Sequence, residues 1–507
     1  MNDKFISATA AVALIADADT VGLVGGGGGL LEASCLFAAV ERRFFDTGQP
    51  RDLTLIHSLG IGDRGTMGLS RFAHEGLVRK VVGGHWIWSP RMQQLARQEK
   101  IEAYVLPGGV IAQLYREIGA RRPGLFTHVG LGTFVDPRHG GGRMNASAGD
   151  DLVEVVTIDG RDILRYKTFP VHVALIRGSF ADADGNVSLD REAASLDTYA
   201  VAQAAHNCGG KVIVQVRSAV ARGSLPARSV HIPGAIVDAV VVDPDQAMTY
   251  DFYYDPCISG EHKAPVPKQA PQPHSIRRSI ARRAAAELRD GAIINFGYGI
   301  PDGVAAVIDE RGERDRYYQS LEHGAYGGTL LYGKQFGFVR NPSAFIDAPS
   351  QFDFYSGGGL DIAFLGFGEL DAAGNVNVSK LAGLTVGPGG FIDIAQNARK
   401  VVFCGAFEAK GLDAEPVGGR LSINRHGAIR KLVSSVAQVT FSGPQAVRQG
   451  QTIVYVTERA VFELTAEGVV LSEIAPGADL NIDILDRMEF TPIMAVAPKL
   501  MSEEIFS

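Results

Sequence analysis

One short pattern occurs twice in the chain, and it constrains the fold more than any other feature. Residues 174–187 read ALIRGSFADADGNV, and residues 363–376 read AFLGFGELDAAGNV, at an offset of 189 residues (363 minus 174). In both copies an apolar, strand-like run leads into a Gly-Asn turn. The matched residues are Asp182 with Asp371, Gly185 with Gly374, Asn186 with Asn375 and Val187 with Val376. The repeat predicts two related domains.

Two weaker echoes support the same division. Residues 7–25 and 275–299 each give a helix-like run followed by a glycine-rich loop, and residues 207–214 resemble residues 397–403. In the second copy Ser275 is a candidate N-cap for an amphipathic helix, because Ile280 and Ala284 follow at helical spacing. Continuous apolar strands alternate with helices, which is typical of α/β folds with mostly parallel sheets. We therefore predict two tandem α/β domains, the first enlarged by an insertion within roughly residues 50–165.

A proline-rich stretch separates the two halves. Residues 257–274 carry Pro265, Pro267, Pro271 and Pro273, and proline favours extended, exposed chain. The predicted organisation is an N-terminal domain of residues 1–256, a linker of residues 257–274 and a C-terminal domain of residues 275–507.

Composition excludes several classes of function. The net charge is −7, so the chain lacks the positive field that would hold nucleic acid or an anionic membrane. The four cysteines are far apart and form no Cys-x-x-Cys pair, and no apolar run approaches the roughly 18 residues of a membrane span. We expect a cytoplasmic protein without a metal site. Glycine is frequent, at 61 of 507 residues, which predicts many tight turns or close approaches of the backbone to a ligand.

Three glycine motifs invite nucleotide or anion binding. Residues 60–65 read GIGDRG, but the acidic residue expected about 20 positions later is missing, so NAD binding is disfavoured. Residues 328–334 resemble a phosphate-binding loop, yet Gln335 stands where Ser or Thr would hold magnesium. The run Gly25–Gly29 follows an apolar strand, and it is either a flexible turn or a loop whose N–H groups face a negative ligand.

Residues 317–328, YYQSLEHGAYGG, place a carboxylate among glycines at the end of a strand. Glu322 is either a surface residue on a turn or a nucleophile, and these residues alone favour the turn. Longer stretches decide the matter, and they are Leu321–Gly328, Asn295–Pro301, Gly374–Lys380, Gly387–Phe391, Thr457–Phe462 and Ile474–Gly477. With these segments the chain resembles the family I CoA-transferases along nearly its whole length.

The resemblance implies a site and a mechanism. Glu322 would be the nucleophile, and the backbone amides of Gly389 and Gly390 would stabilise the oxyanion. The implied reaction would be transfer of CoA from a short-chain acyl-CoA, such as acetyl-, propionyl- or acetoacetyl-CoA, to a free carboxylate. It would proceed by a ping-pong route through a glutamyl-CoA thioester, with CoA as substrate and no metal, ATP or redox cofactor. The residues expected to bind CoA or substrate are Asn295, Gly297, Gly299, Gly387, Gly26, Gly27, His323 and Gly108.

The sequence departs from the family pattern at two positions. His323 follows the glutamate where relatives have a smaller residue, and its imidazole could narrow the acyl pocket, bond to a substrate, stabilise the carboxylate or point away. Gly108 stands where the family has glutamine, so together the two departures suggest a different or roomier acyl pocket. The alternatives are an acyl-CoA hydrolase on the same scaffold, a non-catalytic ligand-sensing module and, last, an NAD-linked oxidoreductase. By resemblance we also expect a homo-oligomer, a dimer or a tetramer.

Overall fold

The structure is a computed structural model that describes residues 4–265, 274–494 and 496–507. The chain forms two compact units. Unit 1 comprises residues 1–265, 321–353 and 382–393, and unit 2 comprises residues 266–320, 354–381 and 394–507. Two segments of the second half therefore group with the first half. Most of the predicted linker, residues 266–273, lies outside the described residues, and the domain boundaries stay a prediction.

The first half of the chain contains five α-helices and twelve strands within its described residues. The helices are α1 Ala8–Val12, α2 Ser34–Thr47, α3 Pro90–Arg97, α4 Gly108–Gly119 and α5 Thr198–Asn207. The strands are β1 Thr20–Leu23, β2 Leu53–His57, β3 Val78–Gly83, β4 Glu102–Val105, β5 Leu125–Thr127, β6 Val153–Ile158, β7 Arg161–Tyr166, β8 Val173–Asp182, β9 Val187–Ser188, β10 Lys211–Val220, β11 Val230–Ile232 and β12 Ala239–Val242.

The second half contributes five α-helices and twenty strands, again within the described residues. The helices are α6 Ile276–Ala285, α7 Asp302–Arg311, α8 Ala348–Ser356, α9 Phe391–Ala395 and α10 Gly443–Gln449. The longer strands are β13 Ile293–Phe296, β14 Tyr318–Ser320, β19 Ile362–Gly366, β24 Lys400–Cys404, β26 Asp413–Val417, β27 Arg420–Arg425, β29 Thr452–Val456, β30 Ala460–Thr465 and β31 Gly468–Ile474. The two-residue strands are β15 Ala325–Tyr326, β16 Thr329–Leu330, β17 Val339–Arg340, β18 Ala344–Phe345, β20 Glu369–Leu370, β21 Val376–Asn377, β22 Lys380–Leu381, β23 Leu384–Thr385, β25 Glu408–Ala409, β28 Ile429–Arg430 and β32 Lys499–Leu500.

The parallel core has the same strand order in both units. In unit 1 it runs β2-β1-β8-β10-β12, and in unit 2 it runs β14-β13-β19-β24-β29. Unit 1 extends the β2 edge with β3 and β4 and adds a three-stranded sheet of β5, β7 and β6. These additions fall between β2 and β8, where the sequence predicts the insertion. The predicted fold class is confirmed.

The repeated turn is built by the same hydrogen bonds in both units. Asp182 Oδ1 accepts the Asn186 N–H at 3.0 Å, and Asp371 Oδ1 accepts the Asn375 N–H at 3.0 Å. The asparagine amides donate back to the same carboxylates at 3.1 Å. Each asparagine Oδ1 then accepts a glycine N–H about 50 to 70 residues away in sequence, that of Gly234 at 2.9 Å in the first copy and that of Gly443 at 3.0 Å in the second. The sequence echo therefore reports a real structural repeat.

The predicted helix after the linker begins where expected. Ser275 caps α6, with its side chain accepting the Arg278 N–H at 3.4 Å. Ile280 and Ala284 are both 0 % exposed, as their helical spacing predicts.

The parallel strands of unit 1 deliver several loops to one edge of its sheet. Residues 25–29 follow β1, residues 58–65 follow β2, residues 84–89 follow β3, and residues 106–107 join β4 to α4. Ligands of α/β proteins bind beyond the carboxyl ends of parallel strands, so these loops are the favoured place for a site.

Candidate functional site

Residues 386–390 form a loop that is fastened to the ends of β3 and β4 by backbone hydrogen bonds. The Trp86 N–H donates to Val386 O at 2.7 Å, and the Gly389 N–H donates to Gly84 O at 2.8 Å. The Gly108 N–H donates to Gly389 O at 2.7 Å. Three bonds over so few residues fix the position of this loop within unit 1.

Two predicted site residues have a different role from the one expected. The Gly389 N–H is already donated to Gly84 O, so it supports the loop and is not offered to an oxyanion. Gly108 does not open the pocket either, because a Cβ there would lie 2.8 Å from Ser58 O and 3.0 Å from the carbonyl carbon of Gly389. The missing side chain at position 108 is required by close packing of the two loops. Position 108 therefore adds no open space of its own, and a different or roomier acyl pocket stays a prediction.

Gly387 also serves close packing. Its φ of +79° is a left-handed conformation that favours glycine, and a Cβ would lie 2.6 Å from Gly84 O. Its place in the loop is structural, and the described contacts assign it no ligand.

Glu322 projects from a turn that begins directly after β14. The Gly324 N–H donates to Leu321 O at 2.9 Å, and the Leu321 N–H donates to Ala325 O at 3.0 Å, which fixes the backbone on both sides. The Glu322 side chain is partly buried, and its Oε2 accepts the Gly390 N–H at 3.0 Å. This is its one hydrogen bond among the described residues. Of the two predicted oxyanion amides, only that of Gly390 faces the glutamate.

The surroundings of Glu322 favour a carboxyl that gains and loses its charge near neutral pH. Burial raises the pKa of Glu322 to about 7, and the bond from Gly390 acts in the opposite direction. A methyl group at Gly390 would lie 2.3 Å from Glu322 Oε2, so glycine is required for this approach. With a single donor on one oxygen, the carboxylate keeps lone pairs for attack on an electrophile.

His323 lies in a narrow slot of unit 1. It is 6 % exposed, and a Cβ built on Gly337 would lie 2.7 to 3.0 Å from three ring atoms, which places Gly337 over one face of the imidazole. A Cβ on Gly26 would lie 3.5 Å from its Cδ2. Burial lowers the pKa of His323 to about 4, so the ring is neutral at pH 7 and does not stabilise the carboxylate by charge. Its Nδ1 is buried and has no partner among the described residues, so bonding to a substrate remains open.

The glycine run and the GIGDRG motif form one platform. The Gly28 N–H donates to Gly62 O at 3.0 Å, and Gly26 closes its own loop by donating to Leu30 O at 2.8 Å. Glu32 accepts the Gly62 N–H at 2.8 Å and the Tyr250 O–H at 2.5 Å. Glu32 precedes helix α2, which begins at Ser34. Its hydrogen bond to Gly62 links the glycine run to the loop that contains the GIGDRG motif.

Trp88 covers this platform. A Cβ on Gly27 would lie 2.2 Å from Trp88 Cε2, and one on Gly60 would lie 2.5 Å from Trp88 Cδ1. The Arg64 guanidinium lies 4.8 Å from the centroid of the Trp88 ring. An indole therefore occupies the space in which a pyrophosphate would have to approach the glycines, and this is the physical reason against a dinucleotide site. Gly26 faces His323, whereas Gly27 is covered.

Asn295, Gly297 and Gly299 lie in unit 2, at the end of β13. Asn295 is 1 % exposed, and its amide donates to Ser320 O at 3.1 Å and to the Tyr355 hydroxyl at 3.2 Å. Its Oδ1 has no partner among the described residues. The Gly297 N–H donates to Phe364 O at 2.7 Å, and the Gly299 N–H donates to Asp302 Oδ2 at 3.2 Å. Of the three, Asn295 alone keeps a buried polar atom for a ligand.

Asp393 is a functional candidate that the sequence did not single out. It is 0 % exposed, and its Oδ2 accepts the Gly109 N–H at 3.1 Å. Burial and the charge of Glu322 raise its pKa to about 8. The usable signal was an aspartate two residues after the Gly387–Phe391 segment, inside an otherwise apolar run.

The described residues offer neither a metal centre nor a membrane-spanning helix. They contain no group of three or more His, Cys, Asp or Glu side chains arranged to hold a metal ion. No helix among them has the length and hydropathy needed to span a membrane.

The chain is similar to known proteins over its full length. A family profile described as Coenzyme A transferase matches residues 5–243. The acetate CoA-transferase YdiF of Escherichia coli K12 is 43% identical over 502 residues, which cover 99% of this chain and 94% of that protein. The caffeate CoA-transferase of Acetobacterium woodii is 44% identical over 513 aligned positions, which cover 99% of this chain and 97% of that protein.

Solved structures give the same result. The acyl-CoA transferase (YdiF) apoenzyme of Escherichia coli O157:H7 superimposes with a TM-score of 0.95 at 42% identity, covering 100% of this chain and 96% of that one. A thioester complex of the same protein with CoA superimposes equally well, with a TM-score of 0.95.

Proposed function

Because the chain belongs to the coenzyme A transferase family and is a CoA-transferase, we propose that it moves CoA from a short-chain acyl-CoA to a free carboxylate through a thioester on Glu322. The observation that carries the proposal is the Glu322 carboxylate, held against the Gly390 N–H at 3.0 Å with its remaining lone pairs unused by the described residues. The solved thioester complex of a relative with CoA supports this choice of intermediate.

The first half-reaction has two steps. A Glu322 oxygen attacks the thioester carbonyl carbon, and the C–S bond breaks to give an acyl-glutamyl anhydride and CoA thiolate. The thiolate then attacks the glutamyl carbonyl carbon, and the acyl group leaves as a free carboxylate. A glutamyl-CoA thioester remains on the protein.

The second half-reaction is the reverse with a new acid. The incoming carboxylate attacks the glutamyl carbonyl, CoA thiolate departs, and the thiolate attacks the acyl carbon of the new anhydride. Glu322 is released as a carboxylate. One thioester is exchanged for another, so the reaction needs neither ATP nor a redox cofactor, and CoA is a substrate.

The protein's contribution is fixed dipoles and limited space. The Gly390 N–H is held by a loop with three backbone bonds, so it can stabilise negative charge near Glu322 without reorganising. The neutral His323 ring, one residue after the nucleophile, fills the space between Gly26 and Gly337. The relatives named for acetate and caffeate are about equally similar, so a substrate panel must contain both kinds of acid. Cytoplasmic location and homo-oligomerisation stay predictions.

The test is trapping of the intermediate. The protein is incubated with acetyl-, propionyl-, acetoacetyl- and an aromatic acyl-CoA, and intact mass is measured before and after borohydride treatment. We expect a CoA adduct that maps to the peptide containing Glu322, that is absent from Glu322→Gln and that is present in Glu32→Gln. Glu32 is a matched control, because burial also raises its pKa to about 7.

Two outcomes would contradict the proposal. An adduct that persists in Glu322→Gln would place the thioester elsewhere. CoA release at the same rate with and without an acceptor acid would show hydrolysis instead of transfer.

A further inference from the structure

Asp393 is a second buried carboxyl beside the proposed nucleophile, and the reaction above does not use it. Its Oδ2 accepts the Gly109 N–H at 3.1 Å, and the Val110 N–H also bonds to this carboxyl. Gly109 and Val110 open helix α4, whose first N–H groups have no partner within the helix. Asp393 therefore caps α4 from a distant part of the chain and fastens it to the segment that carries Gly390.

The phenyl ring of Phe352 packs near both the Asp393 and the Glu322 carboxyl groups. A Cβ on Gly109 would lie 2.3 Å from Phe352 Cδ1 and 2.6 Å from Asp393 Oδ1. A Cβ on Gly390 would lie 2.8 Å from Phe352 Cε1 and 2.3 Å from Glu322 Oε2. The ring thus contacts the surroundings of both acids, and neither glycine could carry a side chain. Because the Phe352 ring is closely packed against both glycines, a movement of Asp393 would displace Gly390 and Glu322 as well.

Two ionisable groups among the described residues interact with Asp393. Glu322 acts on it as a nearby negative charge, and the charge of Asp393 raises the pKa of the buried Tyr166 phenol on β7. The Gly109 and Val110 N–H groups act in the opposite sense. Burial is the largest influence, and together these raise the pKa of Asp393 to about 8. With a pKa of about 8, Asp393 is mostly protonated at pH 7, whereas Glu322, with a pKa of about 7, is about half charged.

We propose that Asp393 is a positioning residue, which as a neutral carboxyl fastens the Gly387–Phe391 segment to the first turn of α4 and so holds the Gly390 N–H against Glu322. The inference rests on the proposed role of Glu322. Loss of the Asp393 proton would place a second negative charge beside the nucleophile. That charge would oppose binding of a carboxylate acceptor and formation of the thiolate and the oxyanion, so transfer should slow as the pH rises past about 8.

The test compares two variants of the full-length protein over about pH 6 to 10. Asp393→Asn keeps an oxygen for the Gly109 N–H but cannot ionise. We expect its kcat at pH 7 to stay within about threefold of the parent, and the alkaline fall in kcat to disappear. Asp393→Ala loses the cap, and we expect kcat to fall about 100-fold at every pH with little change in KM, as for a misplaced catalytic group.

The outcomes separate this inference from the proposed function. If kcat falls at alkaline pH in Asp393→Asn as it does in the parent, the inference is overturned. It is also overturned if Asp393→Ala has the kcat of the parent. If Asp393→Ala does not fold, the pH profile of Asp393→Asn decides alone. Trapping is repeated in parallel, because a CoA adduct on Glu322 with an unchanged limb refutes only the role of Asp393. An adduct outside Glu322 refutes the proposed function itself.

Discussion

Unit 1 holds two glutamates in glycine-rich loops, and they differ in exposure and in how their oxygens are bonded. Burial raises the pKa of both Glu32 and Glu322 to about 7. Glu32 accepts a hydrogen bond on each oxygen, from the Gly62 N–H at 2.8 Å and from the Tyr250 hydroxyl at 2.5 Å. Glu322 accepts one, from the Gly390 N–H at 3.0 Å.

The contrast shows that a shifted pKa does not by itself mark a reactive carboxyl. Glu32 is 0 % exposed, and methyl groups on Gly25 or Gly68 would lie 2.7 and 2.6 Å from its side chain, so no substrate atom could reach it. Glu322 is partly exposed and keeps lone pairs unused by the described residues. The number of donors and the remaining space, and not the raised pKa, separate a structural carboxylate from a candidate nucleophile.

The largest expected effect comes from disturbing the single donor of Glu322. In Gly390→Ala the new methyl group would lie 2.3 Å from Glu322 Oε2 and 2.8 Å from Phe352 Cε1, so loop and carboxylate must separate. We expect kcat for CoA transfer to fall about 100- to 1,000-fold, the usual loss when one oxyanion donor is removed. Gly149→Ala is the matched control, because Gly149 is exposed and a Cβ at that position would have no atom within 4 Å. Parental activity in Gly390→Ala would contradict the assigned donor.

A smaller effect on activity is expected from substitutions of Glu32, which test whether this glutamate is structural while Glu322 is the nucleophile. A glutamine there can accept the Gly62 N–H and donate to the Tyr250 oxygen, so we expect Glu32→Gln to keep transfer within about tenfold. Glu32→Ala leaves the buried Gly62 N–H without its acceptor, and we expect it to lose about 2–4 kcal/mol of unfolding free energy. Denaturant unfolding and steady-state kinetics measure both. If Glu32→Gln abolished transfer as completely as Glu322→Gln, the distinction between the two glutamates would fail.

The smallest effect concerns stability against pH. Because the native-state pKa of Glu322 is raised from its ordinary 4.5 to about 7, the native state binds the proton more tightly than the unfolded state. The stabilisation from this proton is complete below pH 4.5 and is lost as the pH rises to 7. Glu322→Gln does not titrate, so its stability relative to the parent should rise over this window by about 1–2 kcal/mol and then stay constant. Thermal or denaturant unfolding at several pH values measures the difference in unfolding free energy between Glu322→Gln and the parent. A difference that does not change with pH would contradict the raised pKa of Glu322.

The sequence was sufficient for features that depend on residues close together in the chain. The Asp182 and Asp371 turns and the Ser275 cap could be predicted, because a local pattern of polar and apolar residues determines each. The fold class followed from the repetition of these patterns. The segment around Glu322 was ambiguous by itself, and it was the resemblance of longer stretches that singled out the glutamate.

Contacts between distant segments were beyond reach. The Gly109–Asp393 bond spans 284 residues, and the Gly62–Glu32 bond depends on two loops meeting at one sheet edge. The N–H of Gly389 was predicted as an oxyanion donor. It donates its hydrogen bond instead to the carbonyl oxygen of Gly84, which lies 305 residues earlier in the sequence (389 minus 84). Trp88 covers the GIGDRG glycines from outside the motif, so the motif alone could not reveal that their space is filled.

Unit 1 is assembled from segments of both halves of the chain, so the polypeptide cannot be divided at its middle without separating parts of this unit. A fragment of residues 1–256 would lack Glu322, and a fragment of residues 275–507 would lack Gly84 and Gly108, which fasten the Gly387–Phe391 segment. Neither piece encodes the reactive cluster by itself. Separately expressed halves would have to recombine before any turnover, so a gene split at the proline-rich stretch would give an obligate heteromer.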